Sequence, residues 1–146
     1  MNGKCQPMNI NRKCSQYLGI VIAERVLSKI FDGITRMPNN NKGYDFICKK
    51  KHKIDVKSSR PRYRNDRKNH TWQFEIQMNT IPNDFLCIAF DDKLNPMHVW
   101  LIPGHIVNTK VHMYITNTPK TLEKWSQYER PLDKVIKCCN LMKAEA

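Results

Sequence analysis

The stretch Gly43–Ser59 reads GYDFICKKKHKIDVKSS, and the fold follows from how it is parsed. Two short apolar-rich segments, Tyr44–Cys48 and Ile54–Ser58, flank a run of cations. With Lys49–Lys51 as the loop of an antiparallel hairpin, paired residue numbers sum to about 100. Asp45 then lies across from Asp55. Side chains alternate along a strand, so Asp55 and Lys57 share a face. Facing carboxylates repel unless a cation lies between them. Lys57 alone is a poor match for two carboxylates, and a hard divalent cation bound through oxygens suits them better.

Working outward, Gln16–Asp32 predicts a helix, with Ser15 as N-cap and Gly33 just past its end. Ile20, Ala23, Leu27, Ile30 and Phe31 form its apolar face, and Glu24 falls inside that arc. Residues 1–14 carry no periodicity and read as an irregular arm. Ile34–Met37 is a short β segment, and Arg60–Thr71 a basic loop. Trp72–Gln77 alternates as a half-buried strand. Phe85–Phe90 (FLCIAF) is a continuous apolar run that fits a strand buried on both faces. Met97–Ile102 is a further strand, and a short edge strand is expected within Ile106–Ile115. A helix should start at Thr118-Pro119, and a last one should run from Pro131 to about Met142. This order predicts one α/β domain over residues 1–146 with a mixed sheet.

The balance of charge points to a polyanionic partner. The net charge is +12, and Lys49–Lys68 holds ten of the 25 Lys/Arg against two acids, leaving about +4 for the rest. No apolar run approaches a membrane span, and no signal peptide is visible, so no membrane is expected. The six cysteines form no C-x-x-C pair, which argues against a structural zinc site and for a reduced, cytoplasmic protein.

These features together predict a metal-dependent phosphodiesterase acting on nucleic acid. Asp45, Asp55 and the carbonyl of Val56 would hold Mg2+, with Mn2+ as a substitute. The metal would polarise the scissile phosphate and lower the pKa of a bound water. Lys57 would orient that water and offset transition-state charge. Glu24 would bind a second metal, directly or through water, or only order the solvent. Lys49, Lys50, Lys51, Lys53, Arg60, Arg62, Arg64, Arg67 and Lys68, with Ser59 at the strand end, would contact phosphates. Tyr63 could stack on an exposed base.

Glu24, then Gly43–Asp45 (GYD), nine residues, and Asp55–Lys57 (DVK) resemble the PD-(D/E)XK nuclease superfamily in order and spacing. The resemblance covers roughly Gln16–Ser59; Tyr44 stands where many members have Pro, a variable position. It implies a restriction-endonuclease-like αβββαβ core with a mixed central sheet flanked by helices. It also implies a Mg2+-dependent endonuclease that leaves a 5′-phosphate on double-stranded DNA, of the homing or restriction kind. A Holliday junction resolvase is one alternative, and a non-catalytic DNA-binding module on the same scaffold is another. One site cuts one strand, so a homodimer or higher homo-oligomer is expected. His98, His105 and His112, spaced by seven, are not expected to converge on a metal.

Overall fold

The computed structural model describes residues 7–38, 43–63, 69–76, 80–107 and 111–132. Helix α1 (Pro7–Ile30) leads into strands β1 (Ile34–Arg36) and β2 (Phe46–Cys48). A 3-10 turn at Lys49–Lys51 joins β2 to β3 (His52–Ser59). Strands β4 (Arg62–Tyr63), β5 (His70–Glu75), β6 (Asp84–Phe90) and β7 (Pro96–Pro103) follow. The short helix α2 (Gly104–Val107), strand β8 (His112–Thr116), helix α3 (Pro119–Trp125) and a 3-10 turn at Ser126–Tyr128 complete the described elements. The last expected helix lies outside the described residues, apart from buried Leu132.

The fold is mixed α/β, built in three layers. A five-stranded sheet runs in the order β1-β2-β3-β6-β7, and a three-stranded sheet in the order β4-β5-β8. In the first sheet β3 and β6 pair in parallel, and the other neighbours are antiparallel. The FLCIAF run is β6, and all six of those residues are buried. Its period of two divides them between two cores. Leu86, Ile88 and Phe90 face Ile22, Val26 and Leu27 of α1. Phe85, Cys87 and Ala89 face Trp72, Phe74 and Ile115 of the second sheet. A strand covered on both faces has no wet side, which is why its sequence does not alternate.

The implied helix between the third strand and the buried strand is absent among the described residues. β4 and β5 make that crossover, and their sheet covers the face a helix would have covered. The alternation of Trp72, Phe74 and Ile76 is the cause, since it commits the segment to a strand with one buried face. Trp72 packs on Trp100 at 6.1 Å between ring centroids and donates its indole N–H to the Phe90 carbonyl at 2.9 Å.

α1 differs from expectation in two ways. It starts at Pro7, so part of the expected irregular arm is helical, and Ser15 is buried within the helix rather than capping it. Proline is tolerated in a first turn because its missing N–H would have no partner there. The buried arc is also rotated. Leu18, Ile22, Ala23, Val26 and Leu27 are buried, whereas Ile30 is exposed. Gly19 lies on this buried arc, where a Cβ would stand 3.5 Å from Ser58 Cβ, in ordinary contact with β3. The helix ends at Ile30, two residues short of the expected Asp32, and Gly33, at φ +67°, lies in the bend that follows.

Candidate metal and nucleic-acid site

The central hairpin has the expected register. Phe46 pairs with Ile54, Ile47 with Lys53 and Cys48 with His52 around the Lys49–Lys51 turn. Just beyond the ladder, Asp45 N–H donates to the Ile54 carbonyl at 2.9 Å, one residue off register. β2 begins at Phe46, so β3 runs past it with an edge open from Asp55 onward. Asp45 fills the first vacated place with its side chain: Oδ2 accepts the Val56 N–H at 2.8 Å. A strand residue sends its N–H and C=O to the same edge, so the Val56 carbonyl emerges on the Asp45 side.

Alternation separates the two faces of β3. Ile54, Val56 and Ser58 lie towards α1. Asp55 and Lys57 lie on the opposite face, in register with Phe85 and Cys87. Asp55 is only 6% exposed. Lys57 Nζ stands 3.1 Å from Asp55 Oδ2. Lys57 is the charge partner of this buried oxygen, and no other group donates to it. Burial pushes the Asp55 carboxyl up to about 7. Lys57 opposes the rise, and the charge of Asp45 and a side-chain hydrogen bond with it add to it. Cys87, fully buried beneath, has its thiol pushed up by burial and further by Asp55.

A buried carboxylate oxygen met only by Lys57, a second carboxylate across the strand pair and a carbonyl on the same edge form an all-oxygen set. Such a set fits a hard divalent cation of the Mg2+ class, with positions left for water and phosphate. Asp45, Asp55 and the Val56 carbonyl are the residues that could hold it.

Glu24 does not join them. It is exposed, on a helix packed against the other face of β3. No group of three His, Cys, Asp or Glu residues able to share a metal ion forms among the described residues. Its expected place inside the apolar arc fails because the arc is centred on Gly19, Ile22 and Val26. Ser59 is also unavailable to a phosphate: it is buried, accepts the Gln73 N–H at 3.0 Å and donates to the Arg60 carbonyl at 2.8 Å.

The expected cations divide in the same way. Lys49, Lys51 and Arg62 are exposed. Lys53 Nζ lies 5.1 Å from the centre of the Tyr44 ring, a cation–π contact. Arg60 donates to the Asp92 carbonyl at 2.8 Å. Arg64, Arg67 and Lys68 lie outside the described residues, as does the side chain of Lys50. His98 pairs with Glu129 at 3.0 Å and stacks on Trp100, so it serves the second core. His52 on β3 pairs with Asp84 at the start of β6 on the α1 side. The residue that sequence reasoning missed is Asp92. It also accepts the Tyr63 hydroxyl, at 2.6 Å, and its only signal was a turn-forming DDKLNP string.

No family model matches the chain, and no curated protein matches it. Among solved structures, the fold is similar to that of a bacterial homing endonuclease, I-Ssp6803I, with a TM-score of 0.51 at 12% sequence identity. The similarity covers 90% of this chain and 95% of that one. At that identity the likeness is one of fold. No helix among the described residues is long and apolar enough to cross a membrane.

Proposed function

We propose that this protein is a Mg2+-dependent endonuclease that hydrolyses phosphodiester bonds of double-stranded DNA at specific sites. One observation carries the reading: Asp45, just before β2, and Asp55 on β3 come together, with Lys57 Nζ 3.1 Å from a buried Asp55 oxygen that no other group reaches. The reading is supported by the net charge of +12 and by the similarity of fold to a homing endonuclease.

When bound, the metal supplies a Lewis acid for the phosphate and an acidified water. Asp45 and Asp55 supply the negative oxygens that hold it, with the Val56 carbonyl beside them. Burial of Asp55 keeps the site poor in water, which strengthens each charge interaction there. Lys57 keeps its ammonium at the Asp55 carboxylate, where it can position the attacking water and offset charge on the phosphorane-like transition state. Glu24 has no part in this set. Cleavage of both strands requires a second copy of the site, hence a homodimer or larger homo-oligomer.

The test incubates wild type and Lys57→Ala with Mg2+ on a plasmid library and on a mobile four-way junction. Wild type should cut one long duplex site, and the variant should be slower by roughly 100-fold or more. Preference for the junction would shift the reading to a resolvase. If wild type cuts neither substrate, or the variant cuts equally well, the catalytic reading is wrong.

A further inference from the structure

Strand β4 is two residues long and forms the edge of its sheet, held there by the Arg62–Thr71 and Tyr63–His70 pairs. Arg60 and Arg62 in this segment repel one another, and freezing a chain segment costs roughly 1–2 kcal/mol per residue. Two pairs at an edge are a weak hold for such a segment.

The β6–β7 turn provides a second hold. Asp91 accepts the N–H groups of Lys93 and Asn95, both at 2.8 Å, and the Asn95 side-chain amide at 2.9 Å. Leu94 sits at φ 62°, fixed within that turn. Asp92 projects from it and takes both ends of the basic segment: Arg60 through its carbonyl at 2.8 Å and the Tyr63 hydroxyl through its carboxylate at 2.6 Å. The Tyr63 ring, 47% exposed, rests against His70 at 5.4 Å. Because Tyr63 is tied inward, alternation sends Arg62 outward, where it is exposed. The Asp92 carboxylate also raises the Tyr63 phenol pKa, keeping the hydroxyl a donor.

We propose that Asp92 is a positioning residue: it pre-organises Arg60–Tyr63 so that this segment meets the DNA phosphate backbone without a further ordering cost. The proposal rests on the nucleic-acid reading above. It makes a prediction of unusual sign. Removing an acid from a protein that binds a polyanion should tighten binding if charge alone matters. Here Asp92→Ala should weaken it.

The experiment measures binding of a labelled random-sequence DNA duplex by fluorescence anisotropy, in chelator so that no cleavage occurs, across a salt series. Asp92→Ala should bind roughly tenfold more weakly, the scale of a lost hydrogen bond to a charged group. Asp92→Asn, which keeps an acceptor for Tyr63 and loses the charge, should bind as tightly as wild type or tighter. Tyr63→Phe removes the same bond from the other side, and it carries the test if Asp92→Ala does not fold. It should weaken binding alike, and the double variant Tyr63→Phe/Asp92→Ala should be no weaker than either single one. Equal or tighter binding by folded Asp92→Ala, or by Tyr63→Phe, overturns the proposal and leaves the nuclease reading standing. Absence of DNA binding by wild type overturns that reading, and this proposal with it.

Discussion

Asp55→Asn should stabilise the metal-free protein while abolishing cleavage. The folded-state pKa of Asp55 is raised from 3.8 to about 7, chiefly by burial. The native state therefore holds this proton more tightly than the unfolded chain does. Between those two values the native state binds more protons than the unfolded one, so stability falls as pH rises through that window. Above pH 7 the loss is complete. Roughly three pKa units at about 1.4 kcal/mol each set an upper limit of about 4 kcal/mol. The value already includes the attraction of Lys57, which loses its partner in the variant but is partly exposed and can turn to water. The buried Asn amide retains a desolvation cost of about 1–3 kcal/mol, so the net gain should be about 2 kcal/mol. For a chain of this size that corresponds to roughly 8 °C in Tm. The assay is thermal unfolding in chelator at about pH 8.5 and again at about pH 4.5, where the advantage should be lost or reversed. Added Mg2+ should raise the Tm of wild type and not that of the variant. A variant less stable than wild type at high pH, or an advantage independent of pH, would refute the idea that burial strains this carboxylate.

Three further outcomes follow from the same geometry. Metal binding requires ionised Asp55, so Mg2+-dependent cleavage should rise with pH through about 7 and level off above it; a rate profile flat from pH 5 to 9 would contradict this. Gly104→Ala should cost about 2–3 kcal/mol in urea denaturation, because the new Cβ would stand 2.2 Å from the Pro82 carbonyl oxygen. Lys49→Ala and Arg62→Ala, both at exposed positions, should each weaken DNA binding and flatten its log–log salt dependence by about 0.9 for every phosphate left without its cation, with the fold unchanged by circular dichroism.

The hairpin was legible in the sequence because its information is local. Two β segments and three intervening lysines fix the register, and the register places Asp45 opposite Asp55 without any other part of the chain. The buried strand at Phe85–Phe90 was legible for a similar reason, since an uninterrupted apolar run has no wet face to offer. Glu24 was misplaced because helical periodicity gives the spacing of a stripe but not its exact centre. Packing of the helix against β3 and β6 decides that centre, and it is long-range.

Sequence alone determined the hairpin strands β2 and β3, the strands β6 and β7, the acid–acid–lysine constellation and the concentration of cations around it, but read β4 as part of a basic loop. These depend on period, turn chemistry and charge, which neighbouring residues settle among themselves. Tertiary structure decided which face of β3 the helix covers and how far Asp55 is buried. It also decided that Asp92, 32 residues beyond Arg60, braces the basic segment. Each of these depends on which surfaces exclude water from one another, and that is settled only when distant parts of the chain pack.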